Sequence, residues 1–119
     1  MSKKIADSIK SGSHHWIMQR ISAIALIPLV IWLVISFLQI ANDPATYLPL
    51  FFSYPLNTIL SIIFIGFSLY HGSLGMRVII EDYVPNHFQR NFYIILINFI
   101  SIFVAISAII SIIKLHMIG

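Results

Sequence analysis

The sequence predicts an all-α membrane protein: a single three-helix domain over residues 1–119, with the N-terminus cytoplasmic and the C-terminus periplasmic. Three observations carry that prediction. Of the 119 residues, 59% are hydrophobic and 9% charged, and a mean hydropathy of +0.94 leaves too little polar surface to wet a soluble domain. Three apolar runs, residues 21–40, 56–80 and 92–113, each match the ~20 residues that cross a ~30 Å hydrocarbon core. The alternation of apolar and polar residues that marks a membrane β-barrel is missing, and backbone groups in lipid are then satisfied only within helices.

The first run follows the polar head MSKKIADSIKSGSHH. It is too long for a signal-peptide core and has no small-residue cleavage site before it, so it is expected to remain as a spanning helix. The head has lysines, no arginine and an acid, Asp7. That composition is unlike an organellar transit peptide and favours a bacterial inner membrane. Pro28 lies inside the span and marks at most a local kink. The segment ANDPATYLPLFFSYP carries turn signals at Asn42, Asp43, Pro44 and Pro55 and reads as a short loop before the second span. Pro85 and Asn86 mark the turn before the third.

Charge sets the orientation. Lys3, Lys4, Lys10 and Arg20 precede or open the first span, Arg77 and Arg90 flank the second connection, and the first connection has neither Lys nor Arg. By the positive-inside rule the N-terminus and the second connection are cytoplasmic. Lys114, at the far end, can snorkel to the opposite interface. The formal charge of +3 follows from this topology. No basic stripe with interleaved aromatics exists to suit nucleic acid, and membrane lipid headgroups are the partner that the charge fits.

With no cysteine in the chain, disulfides, thiolate zinc sites and iron–sulfur clusters held by this chain are excluded. Histidine is the remaining candidate metal ligand. His71 stands within the second span, and an ionisable residue at membrane depth is a functional-site hypothesis by default. At ~100° per residue, Phe64, Ser68, His71, Gly75 and Val78 share one helix face. Ser68 and Gly75 leave room one turn to either side of the imidazole, which suits a flat macrocycle whose iron approaches a ring nitrogen. The same small residues also suit close helix packing. His14 and His15 precede the first span, His87 lies in the second connection and His116 at the far end. None reaches the depth of His71, so two-histidine ligation needs a second imidazole from a partner chain, and six-coordinate iron favours electron transfer.

Asp82 falls 11 residues after His71, about 1100° of turn, on nearly the same face and roughly 16 Å nearer the cytoplasm. Tyr83 follows where a phenol keeps its ring in the apolar zone and its hydroxyl in the wet one. Tyr83 reads either as a belt anchor or, with Asp82, as a pair able to hydrogen-bond a quinone carbonyl and deliver protons. Arg20, at the start of the first span, reads either as an interfacial snorkelling residue or as a fixed cation for a propionate. Trp16 reads as a belt residue.

Together the three apolar spans, the start HHWIMQR and the segment HGSLGMRVIIEDYV resemble the smaller hydrophobic membrane anchor of succinate dehydrogenase, respiratory complex II. The resemblance covers most of the chain. Its specific part is the spacing of His71, Gly75, Asp82 and Tyr83, supported by His14 and Arg20. It implies that His71 is an axial ligand of a haem b iron, with the other histidine supplied by a larger cytochrome b anchor subunit. It implies further that Tyr83 hydrogen-bonds ubiquinone, that Asp82 belongs to the surroundings of the quinone, and that Arg20 and His14 lie near the haem propionates. The implied assembly is a heterotetramer whose flavoprotein and iron–sulfur subunits carry the FAD and clusters. This chain would dock them, hold half of the haem and wall the quinone pocket, without catalysis of its own. A fumarate reductase anchor and a structural accessory subunit of another membrane complex are the alternatives.

Overall fold

In the computed structural model, which describes residues 2–118 and all their side chains except that of Ser8, the chain forms four helices. They are α1 (Ser2–Ile40), α2 (Pro44–Ser53), α3 (Pro55–Tyr83) and α4 (His87–Ile118). By length and apolar composition α1, α3 and α4 can each cross a membrane, in line with the three expected spans. Each helix outruns its apolar run, because backbone hydrogen bonding continues past the point where hydrophobicity stops. The 39 residues of α1 make a rod of ~58 Å, close to the 61 Å longest dimension of the molecule. His14 and His15 therefore sit inside α1 rather than ahead of it, and Arg20 lies at its middle.

Proline sets every break between helices. Steric clash with a following proline ring drives the preceding residue out of the α region. Asp43 (φ −156°, ψ 84°), Tyr54 (φ −81°, ψ 121°) and Val84 (φ −110°, ψ 99°), which precede Pro44, Pro55 and Pro85, are all non-helical. Pro44 and Pro55 then open the next helices, where a missing N–H costs nothing. After Pro85, Asn86 caps α4: its Oδ1 accepts the N–H groups of Phe88 at 2.9 Å and Gln89 at 3.2 Å. The Arg90 Nε donates to the Val84 carbonyl at 3.1 Å and closes this turn.

The segment read as a loop before the second span is mostly helical, as α2. Of its three prolines, Pro44 takes the first position of α2 and Pro55 the first of α3, where no N–H is needed, and Pro49 lies within α2. What holds α2 is the satisfaction of its C-terminal carbonyls, which have no intrahelical donors. Asn57 Nδ2 donates to Phe51 O at 3.0 Å, and Thr58 Oγ1 to Phe52 O at 2.9 Å. From α4, the ring N–H at Nδ1 of His116 donates to the same Phe52 carbonyl at 2.7 Å. His116 thus ties α4 to α2.

Within the bundle α3 is central, packing on both α1 and α4, while among the described residues α1 and α4 do not pack on each other. The buried residues are small and polar as often as apolar: Ser22, Ser36, Thr58 and Ser61 stand beside Ile40, Phe52, Ile80 and Ile112. This is the packing logic of membrane helices, where small side chains let backbones approach and hydroxyls bond locally. The accessible surface of 8695 Å² exceeds the roughly 6,600 Å² expected for a compact soluble chain of this mass. Most of the large apolar side chains face outward, toward lipid or other chains.

Replacing His116 with Ala removes one of two donors to Phe52 O, and is expected to lower the stability of the folded bundle by ~0.6–1.7 kcal/mol. Unfolding in mixed micelles measures it, and an unchanged midpoint would mean that the clasp contributes nothing.

Candidate functional site

The candidate site is built on the seam between α1 and α3. His71 lies on α3, and its Nδ1 is 3.0 Å from Oγ of Ser22 on α1. Ser22 is 1% exposed, and its hydroxyl also reaches the Gln19 carbonyl at 2.9 Å, one turn back along α1. One turn along α3, Gly75 meets the same strip of α1: a Cβ built there would lie 3.5 Å from Gln19 Nε2. The space beside Gly75 is thus filled by Gln19, and this glycine serves the close approach of two helices. Gln19 Oε1 is buried without a hydrogen-bond partner.

His71 shares an open groove of about 360 Å³ with Ala23, Leu26, Ile27, Val30 and Ile31 of α1. Among the described residues, Nε2 has no hydrogen-bond partner. Nor does any set of three or more His, Cys, Asp or Glu side chains converge among them. The donor set is that of one axial imidazole over an apolar wall, which fits a haem, and lacks the several ligands of a bare-ion cage.

Toward the N-terminal half of α1, a cavity of about 440 Å³ opens between the helices, lined by Gly12, His15, Trp16, Gln19, Arg20, Leu74, Arg77, Val78 and Glu81. Arg77 Nε is paired with Glu81 at 2.9 Å, an exposed i,i+4 bridge. Arg20 stacks on Trp16, with Cζ 4.5 Å from the ring centroid, and among the described residues it has no acidic partner. His15 lines this cavity, whereas the exposed His14 does not; the two rings stand edge to face, centroids 6.1 Å apart. Asp82 and Tyr83 close α3, as the last two helical residues. Both are exposed, Tyr83 to 80%, and neither lines the groove at His71 or the cavity at Arg20.

The model of a family described as "Succinate dehydrogenase/Fumarate reductase transmembrane subunit" matches residues 5–113. The chain belongs to this family. It is similar to the succinate dehydrogenase hydrophobic membrane anchor subunit of Rickettsia typhi, at 35% identity over 94% of this chain and 90% of the relative. The subunit of the same name from Rickettsia conorii is 41% identical over 80% of this chain and 76% of the relative. The succinate dehydrogenase membrane anchor subunit of Reclinomonas americana is 36% identical over 86% and 89%. No solved structure matches at a significant level. As a member of this anchor family with three apolar helices, the chain is a multi-pass membrane protein.

Of the residues marked in the sequence, the structure brings His71 and Gly75 together with α1, and Arg20 together with Trp16. Asp82 and Tyr83 stay apart from both groups, two to three turns further along α3. The sequence reading missed Ser22, Gln19 and His15. For Ser22 a signal existed: Ser22 and Ser36 are 14 residues apart, roughly 1400° and thus on one helix face, and two small polar residues so placed mark a contact stripe.

A Cβ at Gly75 would make only ordinary van der Waals contact, so Gly75→Ala is expected to assemble normally. Gly75→Leu is expected to push α1 away and destabilise the bundle by ~1–3 kcal/mol; equal unfolding midpoints for the two variants would refute the close approach.

Proposed function

We propose that the chain is the membrane anchor of a succinate:quinone oxidoreductase in a bacterial inner membrane, sharing a b-type haem with a larger cytochrome b anchor subunit and forming part of a ubiquinone-reduction site. The observation that carries this reading is His71: one ring nitrogen is held by Ser22, and the rest of the ring lies along an apolar groove. Family membership supports it independently. A haem bound there would supply a one-electron centre within the membrane span.

In this reading Nε2 of His71 would hold the haem iron, together with an imidazole from the partner subunit. The groove residues from Ala23 to Ile31 exclude water from that face. Arg20 is a cation without an acid of its own, held over Trp16 at the membrane edge, and suits a propionate carboxylate. His14 is the second propionate contact read from the resemblance, and His15 adds an imidazole to the same end of α1.

Tyr83 and Asp82 are exposed at the end of α3 and have no side-chain partner among the described residues, so a quinone between them needs walls from other subunits. The phenol donates a hydrogen bond to a quinone oxygen, and the carboxylate, open to water, passes protons toward it. The flavoprotein and iron–sulfur subunits, docked on this side in a heterotetramer, carry the FAD and the clusters. The family description spans fumarate reductase as well, and an anchor of that enzyme, turning over in the opposite direction, uses the same residues.

In the complex co-expressed with its partners, His71→Ala is expected to weaken or abolish the reducible low-spin b-type spectrum; an unchanged spectrum removes His71 as ligand. Tyr83→Phe is expected to lower quinone reductase activity by roughly 10²-fold or more while haem content and reduction of an artificial dye persist. Normal quinone turnover in that variant would take Tyr83 out of the pocket.

A further inference from the structure

A hydroxyl has one proton to give, and Ser22 has two neighbours within hydrogen-bond distance: the Gln19 carbonyl at 2.9 Å and His71 Nδ1 at 3.0 Å. The carbonyl can only accept. Both contacts are satisfied together in one arrangement: Ser22 O–H donates to Gln19 O, and His71 Nδ1–H donates to Ser22 Oγ. With Ser22 1% exposed and the seam within the apolar span, water does not compete for either group. A buried polar group left unmatched at this depth carries a penalty of its own.

We propose that Ser22 is a positioning residue that sets the tautomer of His71, keeping the proton on Nδ1 so that Nε2 is left with a bare lone pair. The inference rests on the reading of His71 as an axial ligand and names what makes it one. A neutral imidazole ligates through its unprotonated nitrogen, and the hydrogen bond made by the other nitrogen decides which that is. Donation from Nδ1 also turns the ring and makes Nε2 a stronger electron donor to a bound metal. Ser22 is a better acceptor for donating in turn to Gln19, since successive hydrogen bonds polarise one another. The chain Nδ1–H to Oγ–H to backbone carbonyl thus anchors the ring to the frame of α1, one turn from the contact between Gln19 and Gly75.

The test compares Ser22→Ala and Ser22→Thr with the unaltered protein in the purified complex, with His71→Ala as control. Threonine keeps the hydroxyl and alanine removes it. In Ser22→Ala, haem retention is expected to fall by roughly 10-fold or more. The haem midpoint potential is expected to rise, because a ligand relieved of its Nδ1 hydrogen bond donates less charge to oxidised iron. The low-spin EPR g values are expected to spread as the ring loses its fixed angle, and Ser22→Thr is expected to restore all three. An unchanged potential and unchanged g values in Ser22→Ala, with haem lost in His71→Ala, would overturn the role of Ser22 while leaving the ligand intact. Should His71→Ala instead keep its haem, the ligand reading fails, and ¹⁵N spectra of labelled histidine in the complex decide the tautomer. Nδ1–H in the unaltered protein and a mixture in Ser22→Ala supports the proposal; the same tautomer in both overturns it.

Discussion

The contact between Ser22 and His71 is the constraint around which the inner part of the bundle is arranged. It joins two helices at a depth where lipid gives neither side chain any alternative. It also dictates how the helices meet, since the hydroxyl must come within 3.0 Å of the ring and only small side chains near it allow that. Gly75 on α3 and the slender Ser22 on α1 supply the room. The consequence is a seam with one face closed by Gln19 and Ser22 and the other open along an apolar groove. His71 is thereby tied to α1 through Ser22 while it also lines the groove.

The remaining surface follows the same division. Hydroxyl-bearing residues are as frequent as apolar ones among the buried side chains, and most of the large aliphatic and aromatic ones lie outside. In water such a distribution would be inverted and unstable. In a bilayer it is consistent, because lipid tails are as apolar as leucine and no gain attaches to hiding leucine from them. With α1 and α4, among the described residues, both packed on α3 and not on each other, the molecule is a narrow sheaf of helices with long exposed flanks. The cavity beside Arg20 opens between α1 and α3, and Asp82 and Tyr83 stand exposed at the end of α3.

How much of this the sequence reveals depends on which physical signal each feature leaves. The three spans were legible because twenty apolar residues in a row have few other uses, and the end of α3 at Tyr83 because Pro85 forbids helix at Val84. The full length of α1 was not, since hydropathy reports where a helix lies in lipid and is silent about a lysine-bearing extension. The short α2 was hidden by its own prolines, which punctuate loops and open helices alike. His71 stood out as a polar residue in an apolar run. Its partner Ser22 did not, because a serine in a membrane helix bonds its own backbone as a rule, and only the register between two helices shows that it bonds something else.

The clasp at the opposite end of the bundle bears on how the protein is made. Phe52 and His116 are 64 residues apart, so at ~5–20 residues per second a ribosome takes roughly 3–13 s to supply the second after the first. Over that interval the carbonyls at the end of α2 have only Asn57 and Thr58, which emerge almost at once. Biogenesis of this end is therefore staged: a provisional fastening by the start of α3, then a final one when α4 has been threaded into the bilayer.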